Sequence, residues 1–137
     1  MKIFISQFFA LFLTYSIHAQ DSNINRNGIS LCGKTGEYSS AKKGFIINFS
    51  QDEIGRCPMK LIPYDSTVEI SSFKVSISGK AVQYKEYDFR GDSIPEKYKS
   101  VIFTPHQKIY VEYIKAKLKG REVFRSFSPM SIEIEVQ

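Results

Sequence analysis

The second half of the chain alternates apolar and polar residues with the period of a β-strand. In the segment 72–78 the apolar residues are Phe73, Val75 and Ile77, and the segment 131–136 repeats the pattern. Successive side chains of a strand point to opposite faces, so this alternation predicts strands with one buried and one solvated face. Turn residues separate six or seven such segments at spacings of about 8 to 12 residues. The pattern predicts a mainly β fold, specifically a compact antiparallel immunoglobulin-like β-sandwich.

Two of the segments indicate which strand is internal to the sheet and which lies at its edge. The segment Lys108 to Lys117 is a long strand followed by a turn at Lys119-Gly120, which predicts an internal position. Strict alternation along this strand places Tyr113 on the same face as Ile109. Pro63 lacks a backbone donor, so the short segment that contains it is expected at a sheet edge.

One segment has helical spacing. Ile94, Tyr98 and Val101 recur at intervals of three and four residues, and Pro95 stands near the start, which predicts one short helical segment over 94–102. The preceding tripeptide Arg90-Gly91-Asp92 has the letters of an adhesion motif, but its residues are also ordinary turn residues. We favour a turn here.

The first 20 residues have the pattern of a secretory signal peptide. Lys2 precedes an apolar stretch of about 10 residues, too short for the roughly 20 that span a bilayer, and small residues follow before cleavage after Ala19 or Gln20. The polar segment 21–30 is expected to be flexible, and 31–137 is expected to form the β-sandwich domain. A protein with this leader is periplasmic or secreted, with no membrane span after cleavage.

Length and charge limit the remaining possibilities. A chain of 137 residues has room for one domain, and 42% hydrophobic with 24% charged residues is ordinary for a folded protein. The net charge of +5 is spread along the chain and not gathered into a basic stripe. The sequence therefore does not predict a nucleic-acid-binding protein.

Two cysteines, Cys32 and Cys57, allow one intramolecular pairing. In an oxidising compartment the expected state is a disulfide, which would close a loop of about 25 residues. The competing interpretation is that Cys57 is a reactive thiol working with His106, although neither cysteine lies in a thiol-protease signature.

Few residues are suited to catalysis. His106 is the only histidine after the leader, so a zinc site would need ligands that the cysteine pair already uses. No nucleophile elbow or phosphate-binding glycine loop is present. The carboxylates Glu86, Asp88 and Asp92 lie near one another in sequence and could serve glycoside hydrolysis, but a solvated turn explains them as well. The sequence therefore predicts a protein that is not an enzyme, with no metal and no cofactor.

The segment 107–117, QKIYVEYIKAK, followed by a Gly turn and residues 125–132, resembles the C-terminal domain of the gliding-motility protein GldM family. Residues 72–76 resemble the opening strand of that domain, and 91–95 resemble its entry into a short helical segment. The resemblance covers about 68–137. It implies a stand-alone exported relative from the Bacteroidota, with an immunoglobulin-like sandwich and protein contacts in the gliding and type IX secretion machinery. The membrane helix and preceding domains of that family have no counterpart here.

Aromatic residues make up 14% of the chain, and its tyrosines gather in the second half. Tyrosine is common in protein interfaces and also in sandwich cores. We predict that Tyr110, Glu112, Lys115 and Lys117 form a mixed aromatic and charged face that binds a protein partner by side-chain contact. The predicted function is an exported non-catalytic protein-binding module of the bacterial cell envelope. The alternative is a small secreted enzyme or enzyme inhibitor.

Overall fold

The computed structural model describes residues 26–80, 83–121 and 124–135. The predicted signal peptide, 1–20, lies outside them. The described strands are β1 Arg26–Leu31, β2 Lys34–Ser39, β3 Gly44–Ser50, β4 Leu61–Pro63, β5 Val68–Ser78, β6 Lys85–Arg90, β7 Lys108–Leu118, β8 Phe124–Phe127 and β9 Met130–Glu135. The helices are α1 Gln51–Arg56, a 3₁₀ turn Glu96–Tyr98 and α2 Lys99–Ile102.

The strands form one curled, mixed sheet in the order β4-β1-β2-β3-β9-β7-β5-β6, with β8 pairing β7. The mainly β prediction is confirmed; the immunoglobulin-like sandwich is not confirmed, and the sheet is mixed where a purely antiparallel one was predicted. β9 lies between β3 and β7, and its pairing with β3 is parallel. This insertion joins the strands of both halves of the chain into a single half-barrel, where a sandwich would have two separate sheets.

The core is a single cluster of buried side chains on one side of this half-barrel. Buried aliphatic and aromatic side chains from both ends of the sheet meet there, and α1 and α2 each add an isoleucine. The most deeply buried include Phe49, Ile47, Val75, Ile109 and Ile132. Because the core occupies one side of the sheet, the other side of the central strands is left for polar residues.

The first described strand lies partly within the segment that the sequence predicts to be flexible. β1 starts at Arg26, inside the segment 21–30 that was expected to be flexible, and pairs with both β2 and β4. The pairings with these two strands hold β1 in the sheet. A two-residue turn, Cys32-Gly33, joins β1 to β2, and both residues have the positive φ (58° and 74°) that this tight hairpin requires.

Several local predictions hold, and one helix is new. The helical segment over 94–102 is confirmed by the 3₁₀ turn and α2. Pro63 is in β4, at the end of the sheet order, and β7 is internal, as predicted. α1 was not predicted; it begins with a capping box in which the Ser50 and Glu53 side chains each accept a hydrogen bond from the other residue's backbone N–H.

Candidate protein-binding face

The outward side of β6, β5 and β7 carries a polar, tyrosine-rich surface, which we call the outer tyrosine face. Its members are side chains from three neighbouring strands and from the residue just before β6: Ser72, Lys74, Ser76, Tyr84, Glu86, Asp88, Arg90, Tyr110, Glu112, Tyr113, Lys115 and Lys117. β5 and β7 are both paired on two sides, so most of the backbone of these two strands is already hydrogen-bonded within the sheet.

The four residues predicted to bind a partner all lie on this face. Tyr110, Lys115 and Lys117 are exposed and Glu112 is half-buried, whereas Ile109, Val111, Ile114 and Ala116 of the same strand are buried. Strict alternation would place residues 110 and 112 on the side opposite 115 and 117. An irregularity in the strand must therefore shift its phase.

That irregularity is a β-bulge at Tyr113. Ser72 pairs with Lys115 and Lys74 pairs with Glu112, so a single β5 residue, Phe73, faces two residues of β7. Tyr113 has a φ of 50°, which an aromatic side chain seldom adopts, and it is 68% exposed. The prediction that Tyr113 shares the face of Ile109 is wrong, because the bulge turns Tyr113 outward and Ile114 inward.

A hydrogen-bonded cluster covers the β6 side of the face. The Tyr84 hydroxyl donates to Glu86 Oε1 at 2.6 Å, and the Ser76 hydroxyl lies 3.4 Å from Tyr84 Oη and 3.5 Å from Glu112 Oε2. The bond to Glu86 raises the pKa of Tyr84, because ionising the phenol would place two negative charges side by side. The same bond, followed by one from Lys74, lowers the pKa of Glu86.

Lys74 is held at the centre of the face. Its Nζ lies 3.3 Å from Glu86 Oε2 and 4.0 Å from Asp88 Oδ1, and it stands 5.2 Å from the centroid of the Tyr113 ring. The hydrogen bond to Glu86 is the largest cause of its raised pKa. Lys74 therefore ties Tyr113 on β7 to the carboxylates on β6, which orders the exposed ring.

Three tyrosines on the face are available to a partner. Tyr84 is 58% exposed, Tyr113 68% and Tyr110 38%. Tyr84 and Tyr113 are each held by the contacts described above. Sequence reasoning found Tyr110 but missed Tyr84 and Tyr113 as site residues, because their placement depends on the bulge and on the β5–β6 register.

The predicted cysteine pair is at disulfide distance. The Cα atoms of Cys32 and Cys57 are 5.8 Å apart, within the range that disulfides adopt. Cys32 is in the β1–β2 turn and Cys57 is the C-cap residue of α1. A bond between them joins the tip of the first hairpin to the end of α1.

The residues considered for catalysis are dispersed. His106 is exposed and lines a cleft of about 720 Å³ whose described lining contains no carboxylate. Glu86 and Asp88 both contact Lys74, whereas Asp92 is paired with Lys60 at 3.6 Å. Within the described residues, no three His, Cys, Asp or Glu side chains are grouped closely enough to hold a metal ion.

The Arg90-Gly91-Asp92 tripeptide forms part of the fold. Gly91 has a φ of 90° and donates its N–H to the Ser71 carbonyl, and the Asp92 carbonyl accepts from Leu61 N–H at 2.8 Å. The bond from Leu61 and the bridge between Lys60 and Ser93 connect β4 and the residue before it to the segment after β6, whereas the bond from Gly91 holds the turn against β5. The tripeptide is a turn that brings the two ends of the sheet order together.

No protein-family model matches the sequence, and no curated protein matches it. None of the described helices has the length and apolar character needed to cross a bilayer.

Proposed function

We propose that this protein is an exported, non-catalytic protein-binding module of the bacterial cell envelope that binds its partner through the outer tyrosine face. The observation that carries the proposal is the exposure of Tyr84, Tyr110 and Tyr113 on one side of three hydrogen-bonded strands. Tyrosine provides a large contact area with a polar tip and loses little conformational freedom on binding, which is why interfaces are rich in it.

The contacts that hold the tyrosine side chains of the face in place support this role. Tyr84 is fixed by Glu86, and Tyr113 is positioned by the bulge and by Lys74. A face whose side chains are already held in place loses less entropy when a partner binds. The pairing of β5 and β7 on both sides also favours binding by side-chain contact over strand addition, because their backbone groups are already used.

β6 lies at one end of the order of the described strands, and its outer edge is poorly suited to strand addition. Four of its six residues, Lys85, Glu86, Asp88 and Arg90, are charged. Charges on an edge strand discourage another strand from pairing there. The surface offered to a partner is therefore the side of the sheet.

The cellular location is part of the proposal. The leader pattern over 1–20 supports export, and a cysteine pair at disulfide distance suits an oxidising compartment. The resemblance of 68–137 to the GldM C-terminal domain supports an association with gliding or type IX secretion components. The binding mode alone is carried over from that resemblance.

Photo-crosslinking in the native envelope tests the proposal. A photoreactive phenylalanine would replace Tyr84, Tyr110 or Tyr113 in turn, with Tyr38 and Tyr64 as controls because they are 49% and 55% exposed outside the face. We expect the three face positions to capture the same protein, to be identified by mass spectrometry, and the two control positions not to capture it. Equal capture at the control positions would show that the face is not the binding surface.

A further inference from the structure

One cross-strand row of the outer tyrosine face carries two cations on either side of a serine. Ser72 of β5 pairs with Arg90 of β6 on one side and with Lys115 of β7 on the other. Neighbouring strands are about 4.8 Å apart, so the two cations start about 10 Å from each other. Both side chains are long enough to reach a group placed above the Ser72 hydroxyl.

Neither of these two charges takes part in an ion pair in the part of the chain that the structure describes. Lys74 is paired with Glu86 and Asp88, and Lys117 is paired with Glu69 at 3.3 Å. Among the described residues, the ion pairs within 4.0 Å include neither Arg90 nor Lys115. Both side chains are exposed. An unpaired arginine and lysine facing one gap attract an anionic group and give it a defined position.

The gap between them is a cleft and not a flat surface. A cleft of about 410 Å³ opens at the bulge, and its lining includes Ser72, Arg90, Lys115, Lys74 and Tyr113. Asp88 also lines it, close to Lys74. The lining thus has three cations and one carboxylate, and Tyr113 provides an aromatic wall beside the cations.

We infer that this cleft determines which partner the outer tyrosine face accepts, and that it takes an aspartate or glutamate side chain from an exposed acidic segment of a partner protein. The guanidinium of Arg90 binds the carboxylate, the Lys115 ammonium and the Ser72 hydroxyl complete its contacts, and Tyr113 packs against the neighbouring residue. The inference rests on the proposed function, to which it adds the chemistry of the partner.

Selection from a random peptide library displayed on phage tests the inference. Phage are selected on the full-length exported protein, with counter-selection on an Arg90→Ala/Lys115→Ala variant. We expect peptides rich in Asp and Glu to be enriched on the parent protein. Affinities of the enriched peptides, measured by fluorescence anisotropy, should fall about tenfold or more in the double variant, because charge-assisted hydrogen bonds are lost.

Lys42→Ala is the matched control, since it removes an exposed lysine that lies outside the outer tyrosine face and whose charge is already paired with Glu133. It should leave peptide affinity nearly unchanged, and thermal melts should show that all variants fold. Enrichment of neutral or basic peptides that still require Tyr113 would overturn the inference and leave the proposed function intact. A library that yields no binders, or equal affinities in the double variant, would overturn it as well. A further overturning result is Arg90- and Lys115-dependent binding to phosphatidylglycerol vesicles but not to acidic peptides.

Discussion

Breaking the link between Cys32 and Cys57 should remove a large share of the stability of the domain. The cysteines are 25 positions apart, and the chain-entropy relation gives about 3.5 kcal/mol for a closed loop of that length at 25 °C. The unfolding free energy of a small domain is only about 5 to 15 kcal/mol. We therefore expect the Cys32→Ala/Cys57→Ala variant to melt roughly 10 to 20 °C below the oxidised protein.

Urea denaturation followed by circular dichroism measures the difference in unfolding free energy. Alanine is preferred over serine because Cys32 packs against the core, and over glycine because Cys32 has a positive φ that glycine would relieve. The reduced wild type serves as the control and should match the variant. The reasoning is refuted if the variant loses less than about 1 kcal/mol, or if labelling of the unfolded, unreduced protein finds two thiols per chain.

Three further predictions follow from single contacts. Phe49→Ala should cost about 3 to 5 kcal/mol in urea denaturation, because a fully buried ring leaves a cavity, and a loss below about 1 kcal/mol would place Phe49 outside the core. Ser50→Ala should cost about 1 kcal/mol in the same assay by removing the α1 cap, and an unchanged midpoint would contradict the capping box. Because the folded-state pKa of Glu86 is lowered, its stabilising contribution is present above its unfolded pKa and lost as pH falls through the folded value. As the pH is lowered through that acidic range, the melting temperature of the wild type should therefore approach that of Glu86→Gln. A difference between the two melting temperatures that does not change with pH would be evidence against the Tyr84–Glu86 bond.

Local patterns predicted the strands better than they predicted their arrangement. The alternation at Phe73, Val75 and Ile77 identified β5, and Pro63 identified an edge, because both depend on neighbouring residues alone. The parallel pairing of β3 with β9 joins residues more than 80 positions apart, and no local pattern encodes it. For that reason a sandwich was predicted where the chain forms one curled sheet.

The arrangement of the candidate site also could not be predicted from local sequence patterns alone. Tyr110 and Lys115 could be placed on a polar strand from the sequence, but their common face results from the bulge at Tyr113. A bulge depends on the register between two strands, which the sequence of one strand does not reveal. The Ser50–Glu53 capping box, in contrast, was readable from its spacing and was overlooked.

Binding of the protein captured from the envelope is the most direct test of the outer tyrosine face. Calorimetry would compare the wild type with Tyr110→Ala/Lys115→Glu, using Tyr38→Ala/Lys43→Glu as a matched control on exposed residues elsewhere. We expect the face variant to lose most of its affinity while its melting temperature stays within a few degrees of the wild type, and the control variant to bind normally. Undiminished binding by the face variant, or its unfolding, would contradict the account.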